Sequence, residues 1–128
     1  MTLLPPERSG RRVIDGERVH RAFAALGRIE EIRARARQFA IVSDPTRLAL
    51  LIAIKAAGPI CVSDLAAATG ISDTTVSQTL RYLRATGSVT AERAGRIVRY
   101  ELASTPIAAL IPAELVSASL VPGAATGE

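Results

Sequence analysis

Two helical segments are separated by only three residues, Gly70-Ile71-Ser72, and the apolar period changes from residue 88 onward. This pairing constrains the chain more than any other feature. On the near side, Cys61-Val62-Ser63-Asp64 opens a helix. Cys61 stands where an N-cap belongs and Asp64 where the reciprocal acid of a capping box belongs. That helix runs through Leu65 to Thr69 and stops at Gly70. On the far side, Ser72 caps a helix to about Thr86, with Gly87 as its C-terminal stop. At about 100° per residue, Val76, Leu80 and Leu83 share one face of it. Val89 and Ala91, and then Ile97, Val98, Tyr100 and Leu102, predict two strands joined around Ala94-Gly95.

The flanking segments read as further helices. Asp15 is a plausible N-cap, and Val19, Phe23, Leu26, Ile29, Ile32, Ala36 and Phe39 recur at spacings of three and four. They predict one long helix from about Asp15 to Val42, loosened or bent at Gly27. Asp44-Pro45 restarts the chain: Asp44 caps, and proline fits the first helical position, where a missing N–H costs nothing. This helix ends near Ala57 at Gly58-Pro59, and Ile60 is a short extended link. Ser104-Thr105-Pro106 starts a last helix carrying Ile107, Leu110, Ile111, Leu115 and Val116, kinked or broken at Pro112. The expected class is mainly α with a β-hairpin wing, a winged helix-turn-helix. Residues 1–14 read as a flexible basic arm, 15–120 as the domain with its added helices, and 121–128 as a flexible tail.

Composition narrows the function. The chain has 128 residues and a net charge of +4, enough for one compact domain. Aromatic residues make up 3% with no Trp, so platforms for stacking single-stranded bases are nearly absent. A lone cysteine excludes an intramolecular disulfide and a cysteine-cluster metal site. The N-terminus does not read as a signal peptide, and the apolar run Leu48 to Ile54 is too short to span a bilayer. The expectation is a soluble, cytoplasmic protein. Fifteen of the 16 basic residues are Arg, which suits planar contacts to phosphate and base edges, although codon bias also produces this. Residues 1–37 carry a net +4, 38–103 a net +2 and 104–128 a net −2, so a polyanion would not bind at the C-terminal end.

The helix over 72–86 carries the functional signal. Opposite its apolar face lie Thr74, Gln78 and Arg81, flanked by Thr75 and Ser77, with no acid except Asp73 in the first turn. Short hydroxyls allow close approach to phosphates, and Gln and Arg make bidentate contacts to adenine and guanine edges. The segment 72–100 holds Arg81, Arg84, Arg93, Arg96 and Arg99 against Asp73 and Glu92. Arg93, Arg96 and Arg99 lie at or beside the hairpin tip marked by Gly95, so some of them are expected to reach phosphates. The plainer alternative is a solvated face on a protein-interaction domain.

Four segments, in order, resemble the ArsR/SmtB repressors. Phe39-Ala-Ile-Val-Ser-Asp-Pro-Thr-Arg-Leu48 is similar to their helix junction, and Cys61-Val-Ser-Asp-Leu-Ala66 to the start of the helix that precedes the turn. Val76-Ser-Gln-Thr-Leu-Arg-Tyr-Leu83 resembles their recognition helix, and Gly95-Arg-Ile-Val-Arg-Tyr-Glu-Leu102 their wing. The resemblance implies a homodimeric repressor, paired through its first and last helices, that leaves a near-palindromic operator in double-stranded DNA when an effector binds. The apolar stripes over 15–42 and 104–120 also exceed what a small winged-helix core covers, which agrees with dimerisation there.

The sensor departs from the family. Metal-sensing members often carry Cys-x-Cys at the helix before the turn, whereas here Cys61 is followed by Ser63. Others use His, Asp and Glu pairs on the last helix, but residues 104–120 offer only Glu114. No resident cofactor is assigned; a transition-metal ion or a thiol-reactive species is the candidate effector. Cys61 reads either as a small N-cap substitute or as a thiol that is oxidised or takes a soft ion. Cys61 and Asp64 form one candidate ligand pair. Glu17 and His20, three residues apart on one helical face and near Asp15, form another, which would suit nickel or zinc. With one His, one Cys and no phosphate loop, an enzyme is not expected. The other readings are a DNA-binding or antitoxin-like module without a sensor, and a protein-interaction winged helix that has lost DNA binding.

Overall fold

A computed structural model describes Pro5, residues 10–104 and residues 106–111. Its elements run α1 (Gly16–Leu26), α2 (Ile29–Val42), α3 (Pro45–Ala57), β1 (Ile60–Cys61), α4 (Val62–Thr69), α5 (Asp73–Ala85), β2 (Val89–Ala94), β3 (Ile97–Leu102) and α6 (Pro106–Ala109). The chain divides into two compact units, one up to Phe39 and one from Ala40.

In the first unit the expected single helix is two. Gly27 takes φ +67°, a left-handed conformation that ends α1. The Arg28 N–H then donates to Glu31 Oε1 at 2.9 Å, so Glu31 reaches back to cap the start of α2. A Cβ on residue 27 would lie 2.7 Å from that carboxylate oxygen. Glycine is therefore needed for its backbone angle and for the close approach. Asp15 caps α1 as expected, accepting from the Arg18 N–H at 3.1 Å. None of the residues of α1 or α2 is buried. Leu26 and Phe39 stay 44% and 53% exposed. Together with Ile32 and Ala36 they line an open cleft of about 600 Å³.

The second unit has a closed core. Leu50, Leu51 and Ile54 of α3 pack with Leu65 of α4, with Val76, Leu80 and Leu83 of α5, and with Val89, Ile107 and Ile111. All ten are at most 4% exposed. The three α5 residues are those that helical spacing placed on one face. Asp44 caps α3 by accepting the Arg47 N–H at 3.0 Å, with Pro45 in the first turn. Lys55 Nζ donates to the Ile111 carbonyl, tying α3 to the end of the α6 region.

The wing is a three-stranded antiparallel sheet in the order β1-β3-β2. The link at Ile60 is its third strand, with Ile60 opposite Tyr100 and Cys61 opposite Arg99. Two residues show no period, so only the partner strand defines them as β. The β2–β3 hairpin runs from Val89 opposite Leu102 to Ala94 opposite Ile97 and turns at Gly95-Arg96, with Gly95 at φ +66°. Pro112, Glu114, Leu115 and Val116 lie outside the described residues, as does most of the N-terminal arm.

Candidate nucleic-acid interface

The turn between α4 and α5 is built from its own side chains. Gly70 takes φ +75° and its N–H donates to the Ala66 carbonyl at 2.9 Å. The Thr69 hydroxyl donates to the Leu65 carbonyl at 2.7 Å and accepts the Ile71 N–H at 3.3 Å. Ser72 then caps α5: its Oγ accepts the Thr75 N–H at 3.2 Å and lies 3.0 Å from Thr75 Oγ1. With Ser72 donating to that oxygen, the Thr75 hydroxyl keeps its own proton as a donor.

The far end of α5 closes in a paired motif. The Gly87 N–H bonds the Arg84 carbonyl at 3.0 Å and the Ser88 N–H bonds the Leu83 carbonyl at 2.8 Å, with Gly87 left-handed at φ +80°. Ser88 is fully buried; its hydroxyl lies 2.8 Å from Thr86 Oγ1, which itself donates to the Leu83 carbonyl. The Ala103 N–H donates to the Ser88 carbonyl at 3.0 Å. The end of α5 is thus bonded to the base of the hairpin, which sets helix and wing as one piece.

Thr74, Thr75, Gln78 and Arg81 are exposed on α5 and Ser77 is half-buried. Helix and turn therefore present these side chains together, with Asp73 in the first turn. The wing divides its three arginines. In the hairpin register Arg93 faces Val98, whereas Arg99 faces Glu92. Directly opposed residues share a face, so Arg93 and Arg99 point to opposite sides. Arg99 lines a groove of about 280 Å³ with Thr90, Glu92 and Glu101, so two carboxylates offset its charge. Arg96 lies in the turn, and Arg93 Nη1 reaches the Gly95 carbonyl at 3.4 Å. Spacing placed these three residues near the tip, but only the register separates them.

Cys61 does occupy the N-cap position of α4, without a side-chain cap bond. It is half-buried, its Sγ 3.4 Å from Ser63 Oγ, and it lines an open groove with Asp73, Arg96 and Tyr100. Asp64 is exposed in the first turn of α4. Glu17 and His20 are exposed on α1, and Asp15 is 3.2 Å from Arg18 Nε. Among the described residues, no three His, Cys, Asp or Glu side chains come together as a ligand set. Glu114 lies outside them.

The model of the bacterial regulatory proteins of the arsR family matches residues 44–91, from the α3 cap through β2. A transcriptional repressor SmtB homologue from Synechocystis sp. is 36% identical over 91 residues, covering 71% of this chain and 68% of the homologue. The chain belongs to the ArsR/SmtB family. The HTH-type transcriptional regulator NmtR of Mycobacterium tuberculosis is 41% identical over 70 residues, which span 55% of this chain and 58% of NmtR. The NMR structure of the cadmium metal-sensor CMTR from M. tuberculosis is 40% identical, with a TM-score of 0.53, covering 63% of this chain and 82% of CMTR. The protein is thus a DNA-binding transcriptional regulator of the repressor type, with a winged helix-turn-helix fold; members of its family are regulators and not enzymes. No helix among the described residues is long and apolar enough to cross a membrane.

Proposed function

We propose that the protein represses transcription from the cytoplasm as a homodimer on a near-palindromic operator, with each α5 in a major groove and each wing on the flanking phosphates. The observation that carries this reading is the exposed Thr74/Gln78/Arg81 face, acid-free beyond Asp73, on a helix whose other side is the domain core. Thr75 and Ser77 take backbone phosphates beside it. Among the wing arginines, Arg93 and Arg96 contribute more than Arg99, which Glu92 and Glu101 flank. Dimerisation through residues 15–42 and 104–120 places the two reading helices about 34 Å apart, one turn of B-form DNA. The exposed apolar residues of α1 and α2 support that pairing.

Induction acts through Cys61. Its single thiol suits a soft ion or an oxidant, and the relative CMTR is a cadmium sensor. His20 with Glu17 and Asp15 is the competing set, favouring nickel or zinc. A gel shift on the region upstream of the protein's own gene, with and without cadmium, zinc, nickel and peroxide, tests the whole reading. Binding that is released by cadmium or peroxide and retained by Cys61→Ser in their presence is the expected result. Release by nickel that His20→Ala abolishes would move the sensor to α1, and an absence of any shift would refute the reading.

A further inference from the structure

Arg47, at the start of α3, is half-buried and makes three contacts with different parts of the chain. Its Nε donates to the Ile41 carbonyl at 2.7 Å and its Nη2 to the Ala40 carbonyl at 3.1 Å. These are terminal carbonyls of α2, whose own last turn has no basic residue; the guanidinium donates to Ile41, joins the Ser43 hydroxyl on Ala40 and adds the favourable charge. Ala40 and Ile41 belong to the same compact unit as Arg47. The third contact is with α5: the guanidinium carbon lies over the Tyr82 ring, 4.8 Å from its centre. Only a planar cation makes all three contacts, donating from its edge while stacking through its face.

Tyr82 follows Gln78 by four residues and Thr75 by seven, so it flanks the face assigned to DNA. It is 44% exposed. Among the described residues, the buried contacts of α5 run along Val76, Leu80 and Leu83, and its last turn is bonded to the base of the hairpin. A helix fixed along one stripe resists translation better than rolling about that stripe. A contact off the stripe resists the roll. We infer that Arg47 is a positioning residue for DNA reading: by clamping Tyr82 to the end of α2, it sets the rotation of α5 and so the direction in which Gln78 and Arg81 present their donors.

The inference rests on the α5 reading proposed above, and one set of titrations separates the two. Full-length protein is titrated onto its own upstream duplex and onto an unrelated duplex of the same length. The variants are Tyr82→Leu, Tyr82→Phe, Arg47→Gln, the Tyr82→Leu/Arg47→Gln pair and Gln78→Ala. Tyr82→Leu and Arg47→Gln should each weaken operator binding roughly five- to tenfold and leave the unrelated duplex nearly unchanged. Tyr82→Phe keeps the ring and should bind as the parent does. The double variant should be no weaker than the weaker single one. Tyr82→Leu leaves the α2 carbonyl bonds intact, so it reports on the clamp even where Arg47→Gln unfolds the helix junction. Equal losses on both duplexes, additive losses in the pair, or a Tyr82→Phe as weak as Tyr82→Leu would each overturn the clamp. Loss in Gln78→Ala with parent-like Tyr82→Leu and Arg47→Gln removes the clamp and leaves the α5 reading. Parent-like binding in Gln78→Ala and in Arg81→Ala, titrated alongside, removes both.

Discussion

The two units solve the problem of their apolar residues differently. From Ala40 onward, ten aliphatic side chains are taken almost fully out of water by α3, α4, α5, β2 and the segment at Ile107–Ile111. From residue 10 to Phe39, a stripe of the same periodicity leaves no residue of α1 or α2 buried among the described residues, and Val13, Ile14, Leu26 and Phe39 are exposed. The same 3.6-residue pattern thus has two meanings. In α5 it is the inside of a domain; in α1 and α2 it stays open to solvent, the surface proposed above for pairing. Local periodicity cannot distinguish these cases, because the difference lies in what the rest of the chain brings to the stripe.

The largest expected effect tests that contrast directly. Leu80→Ala should cost about 2–5 kcal/mol in denaturant unfolding, since a fully buried leucine leaves a cavity. Phe39→Ala, half exposed in the single chain, should cost under about 1 kcal/mol of that unfolding. It should instead raise the dimer dissociation constant at least about tenfold in sedimentation equilibrium, as the loss of an interface aromatic does. A monomer–dimer balance that ignores Phe39 would break the comparison. Gly27→Ala is next in size. The positive φ and the 2.7 Å approach to Glu31 should cost about 1–2 kcal/mol of helicity at the α1–α2 junction, measured by circular dichroism on thermal unfolding. A neutral Gly27→Ala would mean that the break between the helices is not held by this residue. Smallest is Ser72→Ala, about 1 kcal/mol, because one cap bond is lost while the α5 core contacts persist. If Ser72→Ala were as costly as Leu80→Ala, the turn and not the core would be holding the second unit together.

What the sequence made legible was local. Asp15, Asp44-Pro45, Ser72 and Gly87 each announce a helix end through bonds made within three to five residues, and each is found there. The Val76/Leu80/Leu83 face was legible for the same reason. Features that depend on distant partners were not. Ile60 becomes a strand only because β3 lies beside it. The division between Arg93 and Arg99 exists only in the hairpin register, and the Arg47–Tyr82 contact joins residues 35 positions apart. The break at Gly27 was half visible: glycine marks it, but the apolar stripe runs unbroken across it, and the Glu31 side chain that caps α2 from within carries no apolar signal.

Base-edge reading by the exposed side of α5 is the step on which the proposed repression depends. Anisotropy titration of the upstream duplex and of a scrambled duplex at one fixed salt concentration, with Gln78→Ala and Arg81→Ala, tests it most directly. Each substitution should cost about 1–3 kcal/mol on the upstream duplex. Affinity for the scrambled duplex should stay within a few-fold for Gln78→Ala and fall only modestly for Arg81→Ala, which also loses a charge. Parent-like discrimination between the two duplexes in both variants would contradict the claim.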